Sequence, residues 1–185
     1  MVARRARLFA AAIAIGLAAT ATGSVATAGR EDSGSSPTTV REQLTGYEED
    51  PAPISTNGSG RFQAHIDDRN KQITYRLTYS ALEGTVQQAH IHFGGKAQSG
   101  GISVFLCTNL GNGPAGTQLC PAAPATVTGT IRAADVIGPV GQSLLAGQYD
   151  DFVKALRNGT TYVNVHSSAF PGGEIRAQLG HDHHN

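Results

Sequence analysis

The stretch "RFQAHIDDRNKQITYRLTY", Arg61–Tyr79, decides the fold. Its first half puts Phe62, Ala64 and Ile66 on one face and Arg61, Gln63, His65 and Asp67 on the other. Its second half repeats the pattern with Ile73, Tyr75, Leu77 and Tyr79. A period of two marks a strand with one apolar face. The "DDRNK" between the halves is turn chemistry, so the stretch is predicted to be a β-hairpin.

The same period recurs along the chain. "VQQAHIHF" places Ala89, Ile91 and Phe93 opposite Gln88, His90 and His92. "GISVFLC", "ATVTGTI", "TYVNVH" and "EIRAQL" supply further strands, with Gly and Pro in every gap. One segment departs from it. In "LLAGQYDDFVKALRNGT", Leu145, Tyr149, Phe152, Val153 and Leu156 recur at helical spacing. Asp150 and Asp151 suit the first turn, Lys154 and Arg157 the last, and Asn158-Gly159 is a stop signal. The spacing predicts one short helix over roughly 149–157, crossing from one sheet to the other. Many short strands with a single helix argue for an all-β fold, an antiparallel β-sandwich.

The ends are read by composition. "MVARRARLF", the apolar "AAAIAIGLAA" and the small-residue "ATA" site describe a signal peptide over residues 1–28, cleaved after Ala28. Residues 29–39 read as a flexible lead-in, residues 40–180 as the β-sandwich domain, and residues 181–185, "HDHHN", as a His-rich tail. No later run is long and apolar enough for a membrane span. Removing Arg4, Arg5 and Arg7 leaves 14 − 3 = 11 basic against 14 acidic residues in 185 − 28 = 157. That balance offers no basic footprint for nucleic acid. Cys107 and Cys120, far from C-x-x-C spacing, read as a disulfide in an oxidising compartment.

Three histidines raise the functional question. His90 and His92 share a face opposite the apolar trio, which makes them look outward if that trio is core. By the same alternation Tyr162, Asn164 and His166 lie opposite Val163 and Val165, and Glu174, Arg176 and Gln178 lie opposite Ile175, Ala177 and Leu179. An H-x-H pair with a third histidine from a neighbouring strand is a candidate site for copper or zinc. The plainer reading gives these imidazoles surface or turn hydrogen bonds, with His166 over the Pro171 turn. His65 sits on a polar face too, as a candidate member of the patch. Asp67-Asp68 and Glu48-Glu49-Asp50 fall in polar turns and read as solvated. No nucleophile elbow, phosphate loop or other set of catalytic residues is visible.

"QLTGYEEDPAPISTNGSGRFQAHID", "ITYRLTYSAL", "AHIHFGG" and "LRNGTTYVNVHSSAFPGGEIRAQL" together resemble, in order, the CHRD domain first named in chordin. That resemblance implies an immunoglobulin-like sandwich of Greek-key type and carries no established catalytic activity. A second, local resemblance links "HIHFGG" to the "HVHEFG" strand of copper/zinc superoxide dismutase. It implies copper ligation by His90, His92 and His166, with Arg176 lining an anion approach. The chain has no histidine between His92 and His166, so a single-copper site is the most it implies.

The sequence therefore points first to a secreted, non-catalytic binding module. Its surface would be the patch of His90, His92, Asn164, His166, Glu174, Arg176 and His65, and its partner an extracellular protein or a metal ion. The alternatives are a mononuclear copper domain and a structural envelope module.

Overall fold

The computed structural model describes residues 38–180. The expected signal peptide, most of the lead-in and the His-rich tail lie outside the described residues. Eight strands make one antiparallel sheet: β1 (Thr39–Thr45), β2 (Ser59–Asp67), β3 (Gln72–Ser80), β4 (Val86–Phe93), β5 (Gly101–Thr108), β6 (Ala125–Ile131), β7 (Thr161–Ser167) and β8 (Ile175–Leu179). A single α-helix among the described residues, α1, spans Tyr149–Arg157 between β6 and β7.

The strand order is β5-β4-β7-β8-β1-β2-β3-β6. β8 and β1 share only the pair Thr45↔Arg176, so the sheet folds over at that point into two four-stranded halves. Both halves send their apolar faces into one core. Ile91, Val163 and Ile175 come from one side, and Phe62, Leu77 and Val127 from the other. The open edges, β5 and β6, are stitched by side chains instead of a ladder. Tyr75 Oη donates to the Leu106 carbonyl at 3.1 Å, and Gln118 Nε2 reaches the carbonyls of Leu106 and Thr128, each at 3.1 Å.

The Arg61–Tyr79 hairpin forms in the expected register, with Asp67 paired to Gln72. Its turn is fixed by the Asp67 carboxylate, which accepts from Asn70 N and Nδ2 at 3.0 and 2.7 Å. Helix α1 buries Tyr149, Phe152, Val153 and Leu156 and ends before Gly159, whose φ of +66° suits a left-handed C-terminal turn. Arg157 pairs with Asp68 at 2.7 Å, and Lys71 pairs with Asp150, fastening the helix to the hairpin turn. Cys107 and Cys120 form the expected disulfide.

Strand β1 is an addition to the sequence reading. Only Val40 and Leu44 of its seven residues are buried and apolar, and Glu42 occupies the position between them. That interrupted pattern hides a strand that pairs with β2 along its whole length.

Candidate metal centre

The sheet brings the three histidines together. β4 pairs with β7 so that His90 faces Asn164 and Gln88 faces His166, while His92 faces Tyr162. The alternation that sends Ala89, Ile91, Val163 and Val165 to the core sends His90, His92, Tyr162, Asn164 and His166 to the opposite face. One ring nitrogen from each of His90, His92 and His166 lies within 4.8 Å of the other two.

That face is not open to solvent, which corrects the expectation of an exposed polar patch. His90 is 0 %, His92 8 %, His166 6 %, Glu174 0 %, Asn164 3 % and Arg176 2 % exposed. Loops 46–58, 94–100 and 168–174 reach back over the sheet, and their backbone bonds to the polar side chains. Arg176 donates to the Gly95 and Gln98 carbonyls at 3.0 Å each, and Gln178 Nε2 to that of Gly94 at 3.0 Å. Glu174 accepts from Thr56 Oγ1 and Glu83 N, both at 2.7 Å. These bonds satisfy part of what burial would otherwise leave costly, while Glu174 Oε2 and Gln178 Oε1 stay buried without a partner. Glu174 and Arg176 do not pair with each other among the described residues. His65 stands apart, exposed on β2 in the other half of the sheet.

Hydrogen bonds fix the imidazole tautomers. A carbonyl only accepts, so His92 Nδ1, 3.0 Å from Gly100 O, carries a proton and leaves Nε2 bare. His166 Nδ1, 3.0 Å from Pro171 O, does the same. His166 Nε2 is then the acceptor in its 3.2 Å contact with His90 Nδ1, which makes His90 the donor and leaves His90 Nε2 bare as well. His90 Nε2 and His92 Nε2 are buried and have no partner. Burial, together with the neighbouring imidazoles, pushes His90 down to about 2. Burial likewise takes His92 down to about 4 and lowers His166. All three are neutral at neutral pH and face little competition from protons as ligands.

Aromatic contacts hold the rings. His90 meets Phe105 edge-on at 4.4 Å between centroids, and His92 stacks on Tyr162 at 4.7 Å. The Arg176 guanidinium lies 3.5 Å from the centre of the Tyr162 ring.

Beside the histidines sits a group the sequence reading misplaced. Glu49, expected to be solvated, is 8 % exposed and accepts from Asn164 Nδ2 at 3.1 Å. Desolvation outweighs that bond and raises the carboxyl to about 7. Its Oε1 and the Asn164 Oδ1 are both buried without a partner. Nothing in the "YEED" turn distinguishes Glu49 from Glu48, because its burial comes from loop 46–58 folding over β7. Tyr162, Gly100 and Pro171 likewise carry no local signal of a role around the histidines, beyond the placement of Pro171 in the turn after His166.

No curated protein and no solved structure matches the chain. The CHRD domain profile matches residues 40–179, a span that runs from β1 to the end of β8 and contains all three histidines. The chain belongs to the CHRD domain family.

Proposed function

We propose that this CHRD domain is a metal-binding module of an oxidising, extracytoplasmic compartment, holding one copper or zinc ion on His90, His92 and His166. One observation carries the reading. Three neutral imidazoles each bring a ring nitrogen within 4.8 Å of the other two, and two of their buried nitrogens have no partner. An unpartnered buried acceptor is costly, and a metal ion supplies what it lacks. The carbonyls of Gly100 and Pro171 then act as the outer partners that orient ligating histidines. Two ligands at about 2.0–2.1 Å from one ion sit roughly 3.3–3.5 Å apart. The nitrogens of the cluster, within 4.8 Å of one another, would close to that span around an ion, with His90 offering its bare Nε2 or giving up the Nδ1 proton that now bonds His166 Nε2. The disulfide supports the compartment, and among the described residues no helix is long and apolar enough to cross a membrane.

A partner protein would find six members of the polar patch covered, because their exposure is 8 % or less. A structural role is the second reading, favoured by the bonds that tie Arg176, Gln178, His92 and His166 to loop carbonyls.

The test is the metal content of residues 29–180, which lack the histidine tail, followed by calorimetric titration with copper and zinc. The expected result is one ion per chain, lost in His90→Ala and in His166→Ala and retained in the surface control His65→Ala. No ion, or weak binding indifferent to those substitutions, leaves the structural role.

A further inference from the structure

The charge around the three imidazoles bears on which ion they take, an inference that rests on the metal reading above. Among the described residues, no carboxylate or thiol joins the cluster. The nearby acids are engaged elsewhere, Glu49 with Asn164 and Glu174 with Thr56 and the Glu83 amide. A buried positive charge stands one ring away from His92. Arg176 is 2 % exposed, bonds only to carbonyls and lies over the Tyr162 ring that stacks on His92. Among the described residues no carboxylate comes within ion-pair distance of it, and the buried acid its charge acts on is Glu49.

An ion entering this site exchanges its water for three neutral nitrogens in a buried setting. The self-energy of an ion rises with the square of its charge, so a divalent ion loses about four times as much as a monovalent one of equal size. Neutral ligands return no compensating charge, and the guanidinium repels a second positive charge more than a first. Monovalent copper, with its low charge and filled d shell, is content with three ligands, the number the cluster offers, whereas zinc, with the same filled shell but divalent, ordinarily takes a fourth.

We propose that the three-histidine site selects copper in its monovalent state over divalent copper and zinc, with Arg176 as the residue that sharpens that selection.

The experiment titrates residues 29–180 anaerobically with Cu(I), supplied as its acetonitrile complex, against a chromophoric Cu(I) chelator. Parallel titrations use Zn(II) and Cu(II) against chelators of known affinity. The expected result is one Cu(I) per chain, held at least a hundredfold more tightly than either divalent ion. Arg176→Gln keeps an amide donor for the loop carbonyls and removes the charge. It is expected to narrow the ratio about tenfold by tightening divalent binding, with circular dichroism checking its fold. If that variant does not fold, the wild-type ratio alone decides the selection. Divalent binding equal to or tighter than Cu(I) overturns the selection and leaves the three-histidine reading standing. A ratio unmoved in a folded Arg176→Gln overturns the role of Arg176. Failure of all three ions to bind removes the metal reading itself.

Discussion

Replacing Glu49 by Gln separates one buried carboxyl from everything else in the domain. In the fold this group titrates at about 7 instead of 4.5, chiefly because loop 46–58 buries it against Asn164. A raised folded value means that its contribution to stability is full below about 4.5 and is lost as pH rises through about 7. At about 1.4 kcal/mol per tenfold change in proton activity, the full effect is about 3 kcal/mol. Between pH 5.5 and 8.5 about 2 kcal/mol of it is in play. Gln keeps an oxygen for Asn164 Nδ2 and does not titrate. The assay is urea unfolding of both proteins at pH 5.5 and 8.5, with the histidines common to both and cancelling in the difference. From pH 5.5 to 8.5 the variant should gain about 2 kcal/mol on the wild type, about 1 M in urea midpoint for a domain of this size. A gap that stays constant within about 0.5 kcal/mol across the two pH values refutes the argument that Glu49 is protonated because it is buried.

The histidines carry the opposite sign. Their folded values are lowered, so their contribution is present above about 6.5 and lost as pH falls toward 4 for His92 and 2 for His90. In the Glu49→Gln background the metal-free domain should lose about 4 kcal/mol from these two between pH 7.5 and 5, and a loss under 1 kcal/mol contradicts their burial. Replacing Cys107 and Cys120 by Ser should lower the unfolding free energy by about 3 kcal/mol in urea titrations, with metal stoichiometry unchanged. A Cβ at Gly100 would stand 1.7 Å from the Phe93 carbonyl oxygen. Gly100→Ala should therefore cost about 3 kcal/mol or more in thermal unfolding. Gly172→Ala, where a Cβ meets nothing within 4 Å, is the neutral control.

Period-two alternation made the core face of the sheet legible, since Phe62, Ile73, Ile91, Val163 and Ile175 all lie where it put them. Helix α1 was legible through its apolar spacing and its Gly159 stop. The other face was misread for a physical reason. Polar residues on alternate positions signal a solvated face only when nothing folds over it. Here three loops do, and their carbonyls receive the hydrogen bonds that water would have given. Two of the closures rest on contacts across 78 and 115 positions, from Gln98 to Arg176 and from Glu49 to Asn164. No short-range pattern encodes those contacts. The juxtaposition of His90, His92 and His166 was legible as a possibility of strand pairing, whereas the unpartnered nitrogens follow from tautomers set by Gly100 and Pro171.

The stacking of Tyr162 on His92 has an optical consequence. The chain contains five tyrosines and no tryptophan, so its near-ultraviolet emission comes from phenol rings alone. One of those rings lies 4.7 Å from an imidazole of the cluster, beneath a guanidinium. Tyr47 is exposed on loop 46–58, and Tyr75 and Tyr79 face the core from β3. The protein thus carries a chromophore inside the site. The fraction of its fluorescence that changes when the cluster changes is the share belonging to Tyr162, readable without any attached dye.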